Sequence, residues 1–226
     1  KKGATFQDGS PIEAKDVVWS VNRLLAINEG PSYLFEGVLS EGSVTEIDSS
    51  TVQFKLEKTY APFLTTTPIL FVVNSDLAKE NAGDGDPWAQ DYIANNSIGA
   101  GAFYLDSWER GAGMTIKAYE GYHLGWSDTG IDEVRFVVTN EEATVKALAA
   151  SGELSMSSDA QAQETYDSIG ALSDYRIEKY STATNFYLKL NNSIAPTDDV
   201  NIRKAIAYAT DYDTIRDVIL PGAPLT

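Results

Sequence analysis

The stretch FQDGSPIEAKDVVWSVNR, residues 6–23, contains the clearest structural pattern in the chain. Asp8-Gly9 and Ser10-Pro11 are turn residues, so an extended segment should end there. The apolar residues that follow recur at steps of three and four, which places them on one face of a helix. They are Ala14, Val17, Val18, Val21, Leu24 and Leu25. Glu13 occupies the N-cap position and Asp16 favours the positive end of the helix dipole. The stretch therefore predicts a turn followed by an amphipathic helix.

Length and composition describe a globular, acidic protein. The chain has 226 residues, enough for one large domain or two modest ones. Apolar residues make up 43% of it and aromatic residues 11%, so we expect a folded core rather than disorder. Seventeen basic residues against 33 acidic ones give a net charge of −16. A nucleic-acid partner is not expected, because phosphate binding needs a basic surface.

The residues that most catalytic or metal sites require are missing from the sequence. There is no cysteine, which excludes disulfides, thiol catalysis and thiolate metal sites. His123 is the only histidine, and no nucleophile elbow or P-loop accompanies it. Asp84-Gly85-Asp86 lacks the spaced carboxylates of a calcium loop, and nothing singles out a catalytic pair among the acidic residues. We therefore expect no enzyme, no cofactor and no metal site.

Two β-hairpins are expected in the first 120 residues. Residues 44–47 and 51–56 should form one, and residues 103–108 and 114–119 the other. Shorter elements are predicted at residues 60–64, 74–81, 160–169, 175–180, 198–209 and 212–220. Residues 69–73 should be a buried strand or a core turn, and Asp198 should cap the helix that follows it.

A βαβ unit is expected in the middle of the chain. Residues 131–138 predict a strand, 141–151 a helix and 154–156 a second strand. This order implies a parallel pair of strands joined by a right-handed crossover. Ligands usually bind at the carboxyl ends of strands in such sheets, so the loop Ser157-Ser158-Asp159 is a candidate binding segment.

Three stretches resemble the family 5 extracytoplasmic solute-binding proteins, the receptors of oligopeptide, dipeptide and nickel ABC importers. Residues 6–23 have the family's phenylalanine, DG turn and proline, followed by Ala-x-Asp-Val-Val-x-Ser and an arginine. Gly99-Ala100-Gly101, with Trp108 and Tyr122 after it, is similar to the family's G-T-G-P-Y segment. Residues 203–211 match its R-x-A-I-x-x-A-x-D pattern. The three appear in family order and span essentially the whole chain.

The sequence departs from the family pattern at two positions. Glu13 stands where the family has serine or threonine, which predicts a weaker cap on the same helix. Ser155 stands where the family's G-x-x-D pattern, begun here by Gly152, has its aspartate. The carboxylate of that pattern is therefore missing from this chain.

The resemblance implies an α/β fold: a type II periplasmic-binding-protein-like lobe with a mixed sheet and flanking helices, the second lobe being mostly absent. Residues 1–95 would be a subdomain of the first lobe, made of a helix and hairpins. Residues 96–183 would be its main α/β part, and 184–226 the crossing strand and the start of the second lobe. Lys1-Lys2-Gly3 reads as mid-domain sequence, so we expect an internal fragment of a longer protein. No apolar run approaches the roughly 20 residues of a membrane span.

The implied function is that of an extracytoplasmic receptor, in the periplasm or as a cell-surface lipoprotein, which closes two lobes around a solute. It would act as a monomer and deliver the solute to the membrane subunits of an ABC permease. A peptide is the first choice of solute; nickel and oligosaccharides stay open. The alternative is a non-catalytic extracellular scaffold or adhesion domain, which would use residues 198–220 as part of its core.

The expected ligand cleft has an aromatic wall and a few polar groups, which suits a peptide or small solute. On the resemblance, its hinge side would carry Ser181, Thr182, Asn185 and Tyr187. Ser157, Ser158, Asp159 and Trp108 would complete it. The alternative for Trp108 and Tyr187 is a place in the core.

Overall fold

The computed structural model describes residues 3–157, 161–178 and 187–219. The chain divides into two compact units, Lys1–Val138 and Thr139–Thr226. The helices of the first unit are α1 (Ala14–Ile27), α2 (Phe63–Thr66), α3 (Ser75–Glu80) and α4 (Gln90–Ile93), with 3₁₀ helices at Gly30–Phe35 and Thr67–Ile69. Its strands are β1 (Val44–Asp48), β2 (Thr51–Phe54), β3 (Phe103–Glu109), β4 (Gly113–Ala118) and β5 (Glu133–Val137).

The main core of the first unit lies between α1 and the first hairpin. Strands β1 and β2 pair antiparallel, with Val44 opposite Phe54, which confirms the predicted hairpin. The buried centre consists of Val21, Phe35, Leu39 and Val44. Val17, Val18, Leu24 and Leu25 pack against it, so the helical face predicted from the sequence is the face that α1 buries.

The start of α1 is fastened to α3 through a buried carboxylate. Asp16 is 1% exposed, and its Oδ2 accepts a hydrogen bond of 2.9 Å from the Glu13 N–H. Its Oδ1 accepts from the Ser75 N–H at 3.0 Å and from the Ser75 hydroxyl at 2.7 Å. Asp16 was expected only to favour the helix dipole. Its larger role is to join the first turns of two helices, and in doing so it caps α1 itself.

The second sheet of the first unit is antiparallel, in the order β3-β4-β5. Trp108 lies opposite Met114, and Ile116 opposite Val134, so the second predicted hairpin and the strand after it are both confirmed. Tyr119 follows β4 and its hydroxyl donates to the Phe6 carbonyl at 2.8 Å. The sheet is thereby attached to the turn that precedes α1.

Residues 69–73 do not form the strand that was one of two expectations for them. The 3₁₀ helix Thr67–Ile69 runs into irregular backbone, where Leu70 packs against the main core. Phe71 is 78% exposed, so this apolar run is only partly buried. Asn74 caps α3 as a helix start should be capped, since its Oδ1 accepts from the N–H groups of Asp76 and Leu77.

The second unit contains α5 (Glu142–Ala150), α6 (Gln163–Gly170), α7 (Val200–Ala209), α8 (Tyr212–Thr214) and a π-helical turn, Ile215–Ile219. Helices α5 and α6 pack together around Val145, Ala149 and Ile169. The cap of α7 is Asp199, one residue after the predicted Asp198; its carboxylate accepts from the Asn201 N–H at 2.7 Å. None of the helices in the described ranges has both the length and the apolarity of a bilayer-crossing helix.

The predicted βαβ unit is not formed in the described part of the chain. Leu154 packs against the α5–α6 core, and its carbonyl accepts a hydrogen bond of 2.6 Å from the Tyr175 hydroxyl. Residues 154–156 are not a strand, and both described sheets are antiparallel. A short apolar run forms a strand only when its backbone pairs with another strand. Here the Leu154 carbonyl is hydrogen-bonded to the Tyr175 side chain instead of to a neighbouring strand. Residues 175–178 are irregular as well; residues 179 and 180 of that predicted strand lie outside the described ranges.

The α5–α6 pair should be sensitive to acid. Hydrogen bonds from the Thr165 hydroxyl and the Ala162 N–H hold the pKa of Glu142 below its ordinary value, and Lys146 adds an attraction. A lowered folded pKa means that the stabilisation is present above the unfolded pKa, about 4.3, and is lost as the pH falls through the folded value. We expect the protection factors of the Val145 and Ile169 amides against hydrogen exchange to fall across that range.

The exchange experiment has a matched pair of variants. Glu142→Gln should remove this acid dependence, since its amide cannot ionise, and should lower protection at neutral pH. Glu141→Gln changes the neighbouring exposed carboxyl and should leave the acid dependence as it is. Equal acid dependence in the wild-type chain and in Glu142→Gln would contradict the assignment.

Candidate functional site

The exposed end of the β3–β4 hairpin carries an aromatic ring stacked with a cation. Trp108, near the end of β3, is 47% exposed. The Arg110 guanidinium lies over its indole ring, with Cζ 4.0 Å from the ring centroid. Trp108 is therefore a surface residue, as a cleft residue should be, and the core alternative for it is wrong.

Arg110 is also held from the side of α4. Its Nη2 donates to the Asn95 Oδ1 at 2.7 Å and to the Ala94 carbonyl at 3.3 Å. The Asn95 amide is itself oriented, because its Nδ2 donates to the Asp91 carbonyl at 2.8 Å. The end of a helix and the tip of a hairpin thus position one guanidinium between them.

Trp108, Arg110 and Asn95 line an open depression of about 320 Å³. Its other polar side chains come from the segment after α4 and from β3: Asn96, Ser97, Asp106 and Ser107. Asp106 is neutralised by Lys117, whose Nζ is 2.9 Å from its Oδ1. An aromatic wall with hydroxyl, amide and guanidinium groups can hold a small polar solute or the end of a peptide.

A second depression, of about 280 Å³, lies between the turn before α1 and α3. Four of the carboxylates that line it are hydrogen-bonded or ion-paired: Asp8, Glu13, Asp16 and Asp76. Lys15 contacts Asp76 at 2.7 Å and Glu13 at 3.1 Å, and these hydrogen bonds raise the pKa of Lys15. No group of acidic and histidine side chains suited to a metal ion occurs within the described ranges.

The family assignment follows from the match of the whole chain to one family model. The model of the bacterial extracellular solute-binding proteins, family 5 (middle region), matches residues 1–224. The chain belongs to this family. The family is one of extracellular solute-binding proteins, so membership agrees with the expected protein class and confirms the expected extracytoplasmic location.

A family 5 relative and two solved structures illustrate the similarity. The chain is 30% identical over 224 residues to the "Probable D,D-dipeptide-binding periplasmic protein DdpA" of Escherichia coli K12, covering 98% of this chain and 42% of that protein. NikZ of Campylobacter jejuni, in complex with Ni(L-His), superposes with a TM-score of 0.78 at 21% identity, over 96% of this chain and 42% of NikZ. MoaA of A. tumefaciens R10, in complex with mannopinic acid, superposes with a TM-score of 0.79 at 20% identity, over 95% of this chain and 42% of MoaA.

These likenesses confirm the expected fold class, that of type II periplasmic-binding-protein-like proteins. The mixed sheet expected within it is not formed in the described ranges, because both sheets there are antiparallel. The chain spans about 42% of the length of these relatives, which agrees with the expected fragment. The two structures are less than 25% identical to this chain, so they show the fold and not the solute.

The predicted family 5 cleft residues are divided between the two units. Trp108 lies in the first unit, and Ser157 and Tyr187 in the second. Ser157 is partly buried, whereas Tyr187 is 75% exposed and therefore not part of a core. The other five predicted residues lie outside the described ranges: Ser158, Asp159, Ser181, Thr182 and Asn185. The membership of all eight in one cleft stays a prediction.

Among the large exposed residues of the first unit that were not predicted site residues, three lie next to core residues in the sequence. Tyr33, Leu64 and Phe71 are 70%, 78% and 78% exposed. Each is next in sequence to a residue that packs against the main core: Leu34, Phe63 and Leu70. Consecutive apolar residues in a short helix or turn point in different directions, so only one of each pair can be buried there. The adjacent apolar residues in the sequence were the signal for this exposure.

Proposed function

We propose that this chain is part of the solute receptor of an ABC importer, with a peptide as the solute. The match of the family 5 model to residues 1–224 carries the receptor assignment. The choice of a peptide is supported by the relative at 30% identity, whose name describes a dipeptide-binding protein. NikZ, which holds a nickel complex, and MoaA, which holds mannopinic acid, are only 21% and 20% identical to this chain, so they support the fold and not the choice of solute.

The receptor would bind its solute by closing two lobes, a hinge motion of the kind that delivers a closed form to a permease. In this proposal residues 1–95 and 96–183 belong to the first lobe, and residues 184–226 cross to the second. The exposure of α7 supports it. No residue of α7 is buried, and Val200, Ile202 and Tyr208 are 48%, 39% and 89% exposed. A self-contained scaffold would instead bury the apolar side of this helix in its own core.

Ligand-dependent thermal stabilisation of the full-length protein that carries this chain tests the proposal. Short peptides, oligosaccharides and Ni²⁺ would be compared at equal concentrations. A ligand present at 100 times its dissociation constant stabilises by about 2.7 kcal/mol, a shift that is easily measured. Stabilisation by peptides supports the proposal, whereas stabilisation by Ni²⁺ or oligosaccharides alone overturns the choice of solute. No shift with any of the three favours the scaffold alternative.

If Trp108 forms part of the cleft wall, Trp108→Ala should weaken peptide binding about tenfold, because burying an aromatic ring against a ligand contributes about 1–2 kcal/mol. The midpoint of thermal unfolding without ligand should change little, since the ring is half exposed. Ile47→Ala provides the control, as Ile47 is 60% exposed on the other sheet. Unchanged peptide affinity in Trp108→Ala would remove Trp108 from the cleft.

A further inference from the structure

We propose that Arg110 binds a carboxylate group of a ligand in the depression beside Trp108. Neither the predicted cleft residues nor the family pattern includes this arginine. The guanidinium is fixed on two sides, by the indole ring at 4.0 Å and by the Asn95 Oδ1 at 2.7 Å. A group that is already ordered loses little conformational entropy when a ligand binds. The carboxylate would be the C-terminus of a peptide, and this choice rests on the proposed function.

The fixed guanidinium retains hydrogen-bond donors for a ligand. An arginine has five N–H donors in a planar fork. Both hydrogen bonds that Arg110 makes within the described ranges come from Nη2, so Nε–H and the two Nη1 N–H groups make none there. Because each two-donor edge of a guanidinium includes Nη2, the remaining donors can each give one charge-assisted hydrogen bond to a carboxylate oxygen.

The charges around Arg110 also favour an anionic ligand. Arg110 has no ion pair with any carboxylate in the described part of this acidic chain, although Asp106 lines the same depression. The negative charge of Asp106 is balanced by Lys117 at 2.9 Å. The depression therefore offers one positive group that has no ion-pair partner in the described ranges, beside the indole ring of Trp108.

A titration with sodium acetate, followed by NMR of the tryptophan indole N–H groups of the 226-residue chain, tests the site without any assumption about the physiological ligand. Sodium chloride at equal ionic strength is the reference. We expect a saturable shift of the Trp108 signal with acetate only. Arg110→Lys keeps the charge but removes the planar guanidinium that Trp108 and Asn95 hold in place, so it should abolish the shift. Arg135→Lys changes an exposed arginine on β5 and should retain the shift. Equal responses to acetate and chloride, or a persisting shift in Arg110→Lys, would overturn the inference.

A second titration identifies the source of the carboxylate in the full-length protein. Alanyl-alanine and its C-terminal amide differ only at the terminal group, and we expect the free acid to bind about tenfold tighter. Arg110→Lys should remove this preference and Arg135→Lys should keep it. If the acetate result holds but neither dipeptide form binds, the carboxylate site stands and the peptide solute fails. If the dipeptide binds and the acid preference survives in Arg110→Lys, the receptor stands and Arg110 is not its carboxylate anchor.

Discussion

Replacing Asp16 with alanine is expected to lower the free energy of unfolding of the first unit by about 3 kcal/mol or more. The substitution removes the acceptor of three donors, the Glu13 N–H and both donor groups of Ser75. Ser75 is fully buried, so water cannot replace the lost carboxylate there without a change in packing. A buried donor left without an acceptor costs about 1–3 kcal/mol, and two of the three are in that position.

Urea unfolding followed by tryptophan emission measures this loss in the relevant unit, because all four tryptophans lie before residue 139. Asp76→Ala is the matched control: Asp76 also lies in the first turn of a helix, but its side chain is 66% exposed and its partner is Lys15. An exposed ion pair contributes less than about 1 kcal/mol. Equal losses in the two variants would show that burial of the Asp16 carboxylate does not determine its effect.

Gly113→Ala is expected to destabilise the same unit by about 2–3 kcal/mol, through the second sheet. Gly113 begins β4, opposite Val137 of β5. A Cβ atom at this position would overlap the carbonyl oxygen of Phe136, which is backbone and cannot turn aside. The two strands would have to separate at this end, and overpacking of this kind costs about 1–3 kcal/mol, in addition to the weakened ladder.

Gly99→Ala is the control for this substitution. Nothing lies within 4 Å of a Cβ atom built at Gly99, so the added methyl group has room. The measurement is again urea unfolding by tryptophan emission, combined with hydrogen exchange of the β4 and β5 amides. Gly113→Ala should lose protection at Gly113–Ala118 and Glu133–Val137, whereas Gly99→Ala should not. If Gly113→Ala left the protection of these amides unchanged, the prediction would be wrong, because the strands would have accommodated the methyl group by a small shift.

Gly113→Ala also tests whether the second sheet supports the depression beside Trp108. Trp108 and Arg110 lie at the tip of the hairpin whose second strand Gly113 begins. Tyr119, at the other end of that strand, is bonded to Phe6 beside the turn before α1. A weakened sheet should therefore loosen the depression as well as lower stability. Gly113→Ala should accordingly reduce the acetate response of the Trp108 signal.

Much of the local structure could be predicted from residue patterns, because those patterns reflect the immediate environment of each segment. The three- and four-residue spacing after Glu13 gave the buried face of α1, and alternation with intervening turn residues gave both hairpins. The helix at 200–209 was predicted to within a residue of its cap. The family was also legible from three short motifs, and the family model confirms it over residues 1–224.

The site was less predictable, since it depends on which segments meet. Arg110 and Asn95 are fifteen residues apart and belong to different elements, so no periodicity links them. Asp16 looks like an ordinary first-turn acid in the sequence; its burial follows from α3, which arrives some sixty residues later with Ser75. Residues 154–156 have a strand-like composition, but a strand needs a neighbouring strand, and Tyr175 bonds to Leu154 instead. Short-range pattern thus specifies the elements, whereas burial, hydrogen-bond partners and ion pairing between distant segments arise only when those elements pack.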